Sequence, residues 1–433
     1  MVTLIYFLSF FSVIAIFFAH AENIIPVKDP HHPIFAFGSC NRYHRDPNPV
    51  IFQHITQQNP DVWTWVGDIA YLKNDKEETV LNDFYNAKHA PLYTDLRTKS
   101  TVIGTWDDHD YGVNDGNKHF KYKERNKQYY LDFLDEPQNS SRRTRDGVYE
   151  SYYLGAEKRI KIILLDVRYN RDPRLSFGTD MLGENQWNWL EEEMKGNKAQ
   201  FTLIASGSQI LPDDRIFPEH WFDKSRQRLI GLIRKYKVSG VILLSGDVHY
   251  AEIMKHPCPQ RVGYNLYEFT SSGLTHYISE YIPFGGQLFN ELFPHTYNSP
   301  KDRFMEKNFG MLKFSLEGEE PKVLLEVRND HGKKVMEKEI LYRELEFKEE
   351  DTINFSSTCV LDTNRFYRLL RKYVTEIYHR NNFLIKYTIV VGSIAMSLIL
   401  SFALIWLKRK WIVSGFVYLY QKVFRRTGKE KQN

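Results

Sequence analysis

The stretch Thr101–Asp115, T-V-I-G-T-W-D-D-H-D-Y-G-V-N-D, decides how the rest of the chain is understood. Its opening residues Thr101, Val102 and Ile103 are β-branched and predict a short strand that stops at Gly104. Directly beyond stand Asp107, Asp108, His109, Asp110, Asn114 and Asp115. A strand running into a cluster of oxygen and imidazole groups is how α/β proteins present chemistry, because the strand is rigid and the loop after it is free to carry function. Carboxylates this close repel one another unless a positive charge neutralises them, and a bound metal ion supplies one. The plain alternative is a solvated acidic turn.

Two further strand ends favour the metal. The run Asp61-Val-Trp-Thr-Trp-Val ends in Gly67-Asp68-Ile-Ala-Tyr71, and Val238 to Leu244 ends in Ser245-Gly246-Asp247-Val-His249. Gly-Asp alone is a common turn. Three apolar strands delivering Asp beside His, Tyr or Asn predict a dinuclear centre, in which carboxylates and imidazole suit Fe, Mn, Zn or Ca. A bridging Asp would draw two ions together on one water, lowering its pKa and clamping the oxygens of a phosphoryl transfer.

Outward from these stretches, strands and helices alternate. Ile34 to Phe37 is a strand running into Gly38-Ser-Cys40-Asn-Arg42, and residues 50 to 58 form a short helix closed by Asn59-Pro60. Helical spacing covers 76 to 96 and Phe120 to Phe133. Val148 to Leu154 and Ile160 to Asp166 resemble a paired hairpin ending in Asp166-Val-Arg168. Asn185 to Met194 and Ser225 to Tyr236 are helices, and Phe201 to Ser206 is a buried strand ending in Gly207-Ser208-Gln209. The alternation predicts an α/β fold with helices on both faces of sheets. After Tyr264 the pattern turns to strands, and Phe309–Ser315, Lys322–Arg328 and Lys334–Leu341 form an antiparallel meander. Residues 278 to 308, rich in Gly, Pro and aromatics, are a packed loop or a lid, the loop being favoured.

The chain has 433 residues, 42% hydrophobic, 26% charged and 15% aromatic, enough for a sizeable core. Its ends differ from its middle. Residues 1–21 carry no Asp, Glu, Lys or Arg and end in Ala19-His20-Ala21, the pattern of a cleaved secretory signal with Glu22 as the mature start. An uncleaved anchor is the alternative, since Lys and Arg are missing from the first residues. Tyr387 to Leu407 runs 21 residues without charge, long enough for one transmembrane helix, preceded by a charged juxtamembrane stalk over 346–386. The tail 408–433 holds eight Lys or Arg against the single acid Glu430, or +7, so the rest of the chain is at −3 within a total of +4. The basic charge therefore belongs to a cytoplasmic tail and argues against nucleic acid as a partner. Its aromatic stretch, Trp411 to Tyr420, suits the inner membrane surface. These ends predict a single-pass type I membrane protein with its main domain lumenal or extracellular. Three cysteines, Cys40, Cys258 and Cys359, are too few for a disulfide-stapled fold, and Asn139 and Asn354 begin N-glycosylation sequons.

Gly38-Ser-Cys40-Asn, Val66-Gly-Asp68-Ile-Ala-Tyr71, Thr105-Trp-Asp-Asp108-His109-Asp110-Tyr-Gly-Val-Asn114, Leu165-Asp166-Val-Arg168 and Ser245-Gly-Asp247-Val-His249 together resemble the alkaline phosphatase D (PhoD-like) metallophosphatases, in family order over residues 30 to 345. The resemblance implies a sandwich of two mixed β-sheets flanked by helices, with the metal site at one end. It implies that Cys40, Asp68, Tyr71 and His249 hold iron, and that Asp68 bridges to a second ion, calcium, bound also by Asn114 and Asp247; Mn and Zn are the alternatives. Asp108 stands where the broader metallophosphatase signature has a ligand Asn, which leaves it between ligand and catalytic group. His109 falls near the leaving oxygen, where it protonates it or steadies the phosphate. Arg42 and Arg168 are candidates for neutralising phosphate, Arg168 equally for a scaffold salt bridge. Ser208, Gln209 and Asp166 shape the site without touching metal. If Cys40 binds metal, Cys258 and Cys359 are left to pair.

The implied activity is hydrolysis of phosphoric monoesters or diesters, small molecules or phospholipid, by metal-activated water without a covalent enzyme intermediate. The rival reading is a catalytically inactive, metal-stabilised receptor or adhesion ectodomain.

Overall fold

The structure, a computed structural model, describes residues 23–174, 179–213, 220–280, 297–352, 392 and 394–401. The chain divides into two units, Met1–Lys372 and Tyr373–Asn433. Every strand belongs to the first.

Fourteen strands are described: β1 (Ile24–Ile25), β2 (Ile34–Gly38), β3 (Val62–Val66), β4 (Thr101–Thr105), β5 (Glu150–Leu154), β6 (Ile160–Leu164), β7 (Phe201–Ser206), β8 (Val241–Ser245), β9 (Ala251–Lys255), β10 (Tyr267–Ser271), β11 (Arg303–Phe304), β12 (Asn308–Ser315), β13 (Lys322–Asn329) and β14 (Lys334–Leu341). They build two mixed sheets, β1-β5-β6-β7-β8-β10-β9-β11 and β14-β13-β12-β2-β3-β4. In the first, β6, β7, β8 and β10 run parallel. In the second, β2, β3 and β4 run parallel, and β12 pairs with β2 antiparallel, Met311 facing Ala36.

The central parallel strands are covered on both faces, which is why they lack alternation. Every residue of β3 (V-W-T-W-V), β6 (I-K-I-I-L), β7 (F-T-L-I-A-S) and β8 (V-I-L-L-S) is buried. The sheets meet through one apolar core, with Phe37 edge-on to Phe269 at 4.9 Å and Phe201 against Phe314 at 5.3 Å.

Seven α-helices are described in this unit. α1 (Ile51–Gln57), α2 (Glu77–Lys88), α3 (Pro91–Lys99) and α5 (Lys123–Phe133) supply Phe52, Phe84, Tyr93 and Phe133 to a second core that also holds Trp63 and Trp65 of β3. α6 (Glu184–Met194) and α7 (Asp223–Lys235) add Trp187, Leu190, Leu229, Ile230 and Ile233 to the first core. The remaining helix, α4 (Asp108–Tyr111), is one turn of the opening stretch. α7 shows the governing pattern: Leu229, Ile230, Leu232 and Ile233 are buried, Asp223 opens it, and Arg234 and Lys235 close it, each charge favourable to the helix dipole.

The helical spacing expected over 76–96 resolves into two helices, because Pro91 has no amide hydrogen to continue α2 and instead begins α3. The antiparallel hairpin β5–β6 and the meander β12–β14 form as expected. β9 and β10 were not anticipated. Two-residue β1 pairs with β5, so among the described residues strand pairing begins at Ile24. Of the 278–308 insertion, 281–296 lies outside the described residues.

No helix among the described residues is long and apolar enough to cross a membrane. The expected span 387–407 lies outside the described residues except at 392 and 394–401, which are helical and expose Ile394, Met396, Leu398, Ile399 and Leu400. The expected signal 1–21, stalk residues 353–386, the tail 408–433, Cys359 and Asn354 also lie outside them. Cys40 is free, Cys258 is disulfide-bonded, and Asn139 is exposed.

Glu268 on β10 is fully buried and accepts the backbone N–H groups of Ile210 at 2.8 Å and Leu211 at 2.7 Å. Burial pushes its carboxyl up from 4.5 to about 7. The folded state therefore holds a proton that the unfolded chain has released, and stability falls as pH rises from 4.5 to about 7. Gln can accept only one of these two N–H groups, so the denaturant midpoint of Glu268→Gln should lie below the wild type at pH 5. By pH 8 the variant should gain about 2–3 kcal/mol on the wild type. An equal gap at both pH values would remove the buried carboxyl from this account.

Candidate metal centre

The C-terminal ends of the parallel strands of both sheets meet at one edge of the sandwich. The Thr105 hydroxyl donates to the Leu165 carbonyl at 2.8 Å and the Ser39 hydroxyl to the Ser271 carbonyl at 3.3 Å, tying the sheets together there. The close fit excludes side chains at the glycines. A Cβ on Gly246 would lie 2.5 Å from the Ser39 hydroxyl, and one on Gly207 2.6 Å from the Asp107 carboxylate.

Loops after β2, β3, β4 and β8 bring together Cys40, Asp68, Asp107, Asp108, His109, Asp247 and His249. They form three groups of possible ligands: Cys40, Asp68 and His249; Asp68, Asp108 and His109; and Asp107, Asp108 and Asp247. Ligand atoms within each group lie within 4.8 Å of one another. Asp68 and Asp108 each belong to two groups, the arrangement expected of bridging carboxylates. The Tyr71 hydroxyl lies 3.0 Å from Nε2 of His249, and its ring stacks on His109 at 4.1 Å.

The backbone is strained to make this arrangement. Cys40, Asp68, Tyr71, Asp247 and His249 all have positive φ, at 63°, 57°, 43°, 72° and 62°. Side chains other than Gly, Asn and Asp rarely adopt that region, and such strain concentrates where function demands it.

Electrostatics point the same way. Burial raises the Asp68 carboxyl well above the usual range, and the charges of Asp108, Asp107, Asp110 and Asp247 raise it further. Burial likewise raises the Cys40 thiol and the Tyr71 phenol. It depresses His249 to about 3 and lowers His109, against the pull of Asp108. Buried acids that repel one another, beside neutral imidazoles, form a donor set that a cation would relax. Sulfur, phenol and imidazole beside Asp68 fit a transition metal, and the carboxylates Asp68, Asp107, Asp108 and Asp247 fit a hard cation such as calcium.

The other expected residues fall into distinct places. Arg42 is half-buried with its guanidinium 5.3 Å from the centre of the Tyr71 ring, at the mouth of the cluster. Arg168 is fully buried and forks onto both carboxylate oxygens of Asp107, with Nη2 at 3.0 Å. Asp166 accepts the backbone N–H groups of Arg168, Tyr169 and Val148. It thus sets the Arg168 loop from behind, while Gln209 bonds to Glu252 and Thr270 and Ser208 is buried beside them. Asn114 is exposed in the turn past α4 and makes no hydrogen bond with the carboxylates. Its neighbour Asp115 instead donates its N–H to Asp108 at 2.7 Å. Asp110 turns away and accepts the N–H groups of Ile69 and Ala70, pinning the Asp68–Tyr71 loop.

Ser272 and His276 were not singled out from sequence, and Asp107 was named there only as a member of the acidic cluster, without a role of its own. Ser272 Oγ lies 3.1 Å from the Cys40 sulfur, and the His276 ring lies 3.8 Å from that of His249. The signal was present: β10 ends in Thr-Ser-Ser-Gly, another strand running into small and polar residues.

Comparison with known proteins agrees. Alkaline phosphatase D of Bacillus subtilis (strain 168) is 21% identical over 278 residues, covering 50% of this chain and 45% of that protein. The chain thus spans about half the length of the curated relative it matches. A solved structure of PhoD superposes with a TM-score of 0.52 at 15% identity, covering 82% of this chain and 79% of that one, which establishes the fold. Residues 35–320 match the PhoD-like phosphatase profile, a span that holds all three ligand groups, and the chain belongs to that family.

Proposed function

We propose that this protein is a membrane-anchored, metal-dependent phosphoric ester hydrolase that attacks monoesters or diesters with water. The observation that carries the reading is the set of three interlocked ligand groups sharing Asp68 and Asp108. Cys40, Asp68, Tyr71 and His249 would hold iron, and Asp68 with Asp247, Asn114 and the neighbouring carboxylates would hold calcium. Bound there, the ions supply Lewis acidity and a water of lowered pKa.

The chain's own groups do the rest. Arg42, at the mouth, offers a guanidinium to the phosphoryl oxygens. His109 donates its backbone N–H to Asp68 at 3.3 Å, and burial lowers the pKa of its imidazole. Beside the leaving oxygen, that imidazole would protonate it or steady the phosphate. Arg168 keeps Asp107 in place from below.

The lumenal or extracellular placement rests on the apolar first 21 residues and the uncharged run 387–407 ahead of the basic tail. The disulfide at Cys258 and the exposed Asn139 sequon are consistent with an oxidising, glycosylating compartment. Membrane tethering and an aromatic insertion suit a phospholipid as well as a soluble ester.

Matched aryl phosphate mono- and diesters, assayed with and without chelator, test the reading on the wild type and Asp247→Asn. Turnover should depend on metal and fall by orders of magnitude in the variant, Asn being tolerated at the positive φ of Asp247. A folded, metal-loaded wild type without turnover on either ester would instead favour the inactive-ectodomain reading.

A further inference from the structure

The segment after β10, Ser272 to His276, belongs to none of the three ligand groups, yet it contacts two of the three members of the sulfur-bearing one, Cys40 and His249. Ser272 is fully buried, with its backbone N–H bonded to the Tyr250 carbonyl. Its hydroxyl oxygen accepts the backbone N–H of His249 at 2.8 Å and lies 3.1 Å from the Cys40 sulfur. A serine hydroxyl has one proton to give. The His249 N–H occupies a lone pair of the oxygen and leaves the hydroxyl proton available to donate to a thiolate at Cys40. Farther along, Leu274 donates its N–H to the Ser39 carbonyl, and Thr275 and His276 donate theirs to the Cys40 carbonyl. The His276 ring then closes the group, 3.8 Å from His249 and 5.0 Å from Tyr71.

Two residues with strained backbones, Cys40 and His249, approach from different sheets and converge on this one hydroxyl. We propose that Ser272 is a positioning residue for the thiolate: its hydroxyl holds the Cys40 sulfur by a hydrogen bond and couples it to the His249 backbone. A hydrogen bond to a metal-bound thiolate withdraws charge from sulfur, weakening its donation to the ion and shifting the ion's electronic levels. Without it the sulfur becomes a stronger donor but loses its fixed direction, and the His249 N–H is left buried without its partner. The inference rests on the reading that Cys40 is a metal ligand, and the test separates the two.

The full chain, stripped with chelator and reloaded with cobalt(II) alone, reports a thiolate ligand as a near-ultraviolet charge-transfer band. Wild type, Cys40→Ser, Ser272→Ala, Ser272→Thr and Ser272→Val are compared for band position and cobalt affinity. The expected result is loss of the band in Cys40→Ser and a shift to longer wavelength in Ser272→Ala. Cobalt affinity in Ser272→Ala should weaken by about 10–100-fold, the usual consequence of losing a hydrogen bond behind a metal ligand. Thr and Val have the same shape and differ by the hydroxyl, so Thr should retain the wild-type band and Val should shift it. That pair decides the matter even where Ala fails to fold. A wild-type band and affinity in both Ala and Val, with the band lost in Cys40→Ser, overturns the role of Ser272 and leaves the thiolate ligand standing. A band that survives in Cys40→Ser overturns the sulfur-ligand reading itself.

Discussion

Asp68→Asn should cut phosphoester turnover about 100- to 1000-fold, the scale lost with one preorganised electrostatic group, and should also raise the melting temperature of the chelator-treated protein. The two effects have one origin. Asp68 is fully buried, belongs to two of the three ligand groups, and faces the charges of Asp108, Asp107, Asp110 and Asp247. Its carboxyl is raised in the folded state, so without ions its ionisation opposes folding as soon as pH exceeds the unfolded value of 3.8. Asn removes that charge and suits the left-handed backbone at φ 57°. Steady-state rates and calorimetry in chelator provide the two readouts. Retained turnover would end the bridging role. A lower melting temperature for the metal-free variant would mean that Asp68 contributes to the fold independently of any ion.

The second large effect concerns Arg168. Its guanidinium and the Asp107 carboxylate are both fully buried and paired along two hydrogen bonds. Removing one partner of a buried pair leaves the other charged and desolvated, at about 3–5 kcal/mol. Arg168→Met should lose stability on that scale in urea unfolding. The double variant Arg168→Met/Asp107→Asn should recover a substantial part of the loss, because no lone charge then remains. This outcome assigns Arg168 to the support of the cluster and leaves Arg42 as the cation for substrate. A single variant of unchanged stability with a much raised KM would reverse that assignment.

The strand ends of the centre were legible because three of them share one local pattern, an apolar run stopped by Gly and followed by Asp. That pattern has a cause in the fold, since Gly67 at φ 92° leaves no room for a Cβ beside Asp107. What sequence could not reveal was direction. Asp107, Asp108 and Asp110 are near neighbours, yet one faces Arg168, one joins two ligand groups, and one turns back to cap the Ile69 and Ala70 amides. A single helical turn with Asp107 at its N-cap separates them, and composition is blind to that rotation. Asn114, which the resemblance places at the metal, is exposed in the turn past α4, and the backbone of its neighbour Asp115 bonds to Asp108. The division into two sheets was equally hidden, because β2 finds β12 only across most of the chain. Ser272 escaped notice because serine after a strand is common and its meaning lies in what the fold sets opposite it.

The six-stranded sheet contributes Cys40, Asp68 and Asp108, and the eight-stranded sheet contributes Asp247 and His249. An ion bound by both sets is a clasp across the seam of the sandwich. Its occupancy adds to the folding free energy as the logarithm of free ion over dissociation constant, about 1.4 kcal/mol for each tenfold excess. The supply of free ions would thereby govern how firmly the sandwich closes. Stability and activity would then be coupled through the same few carboxylates.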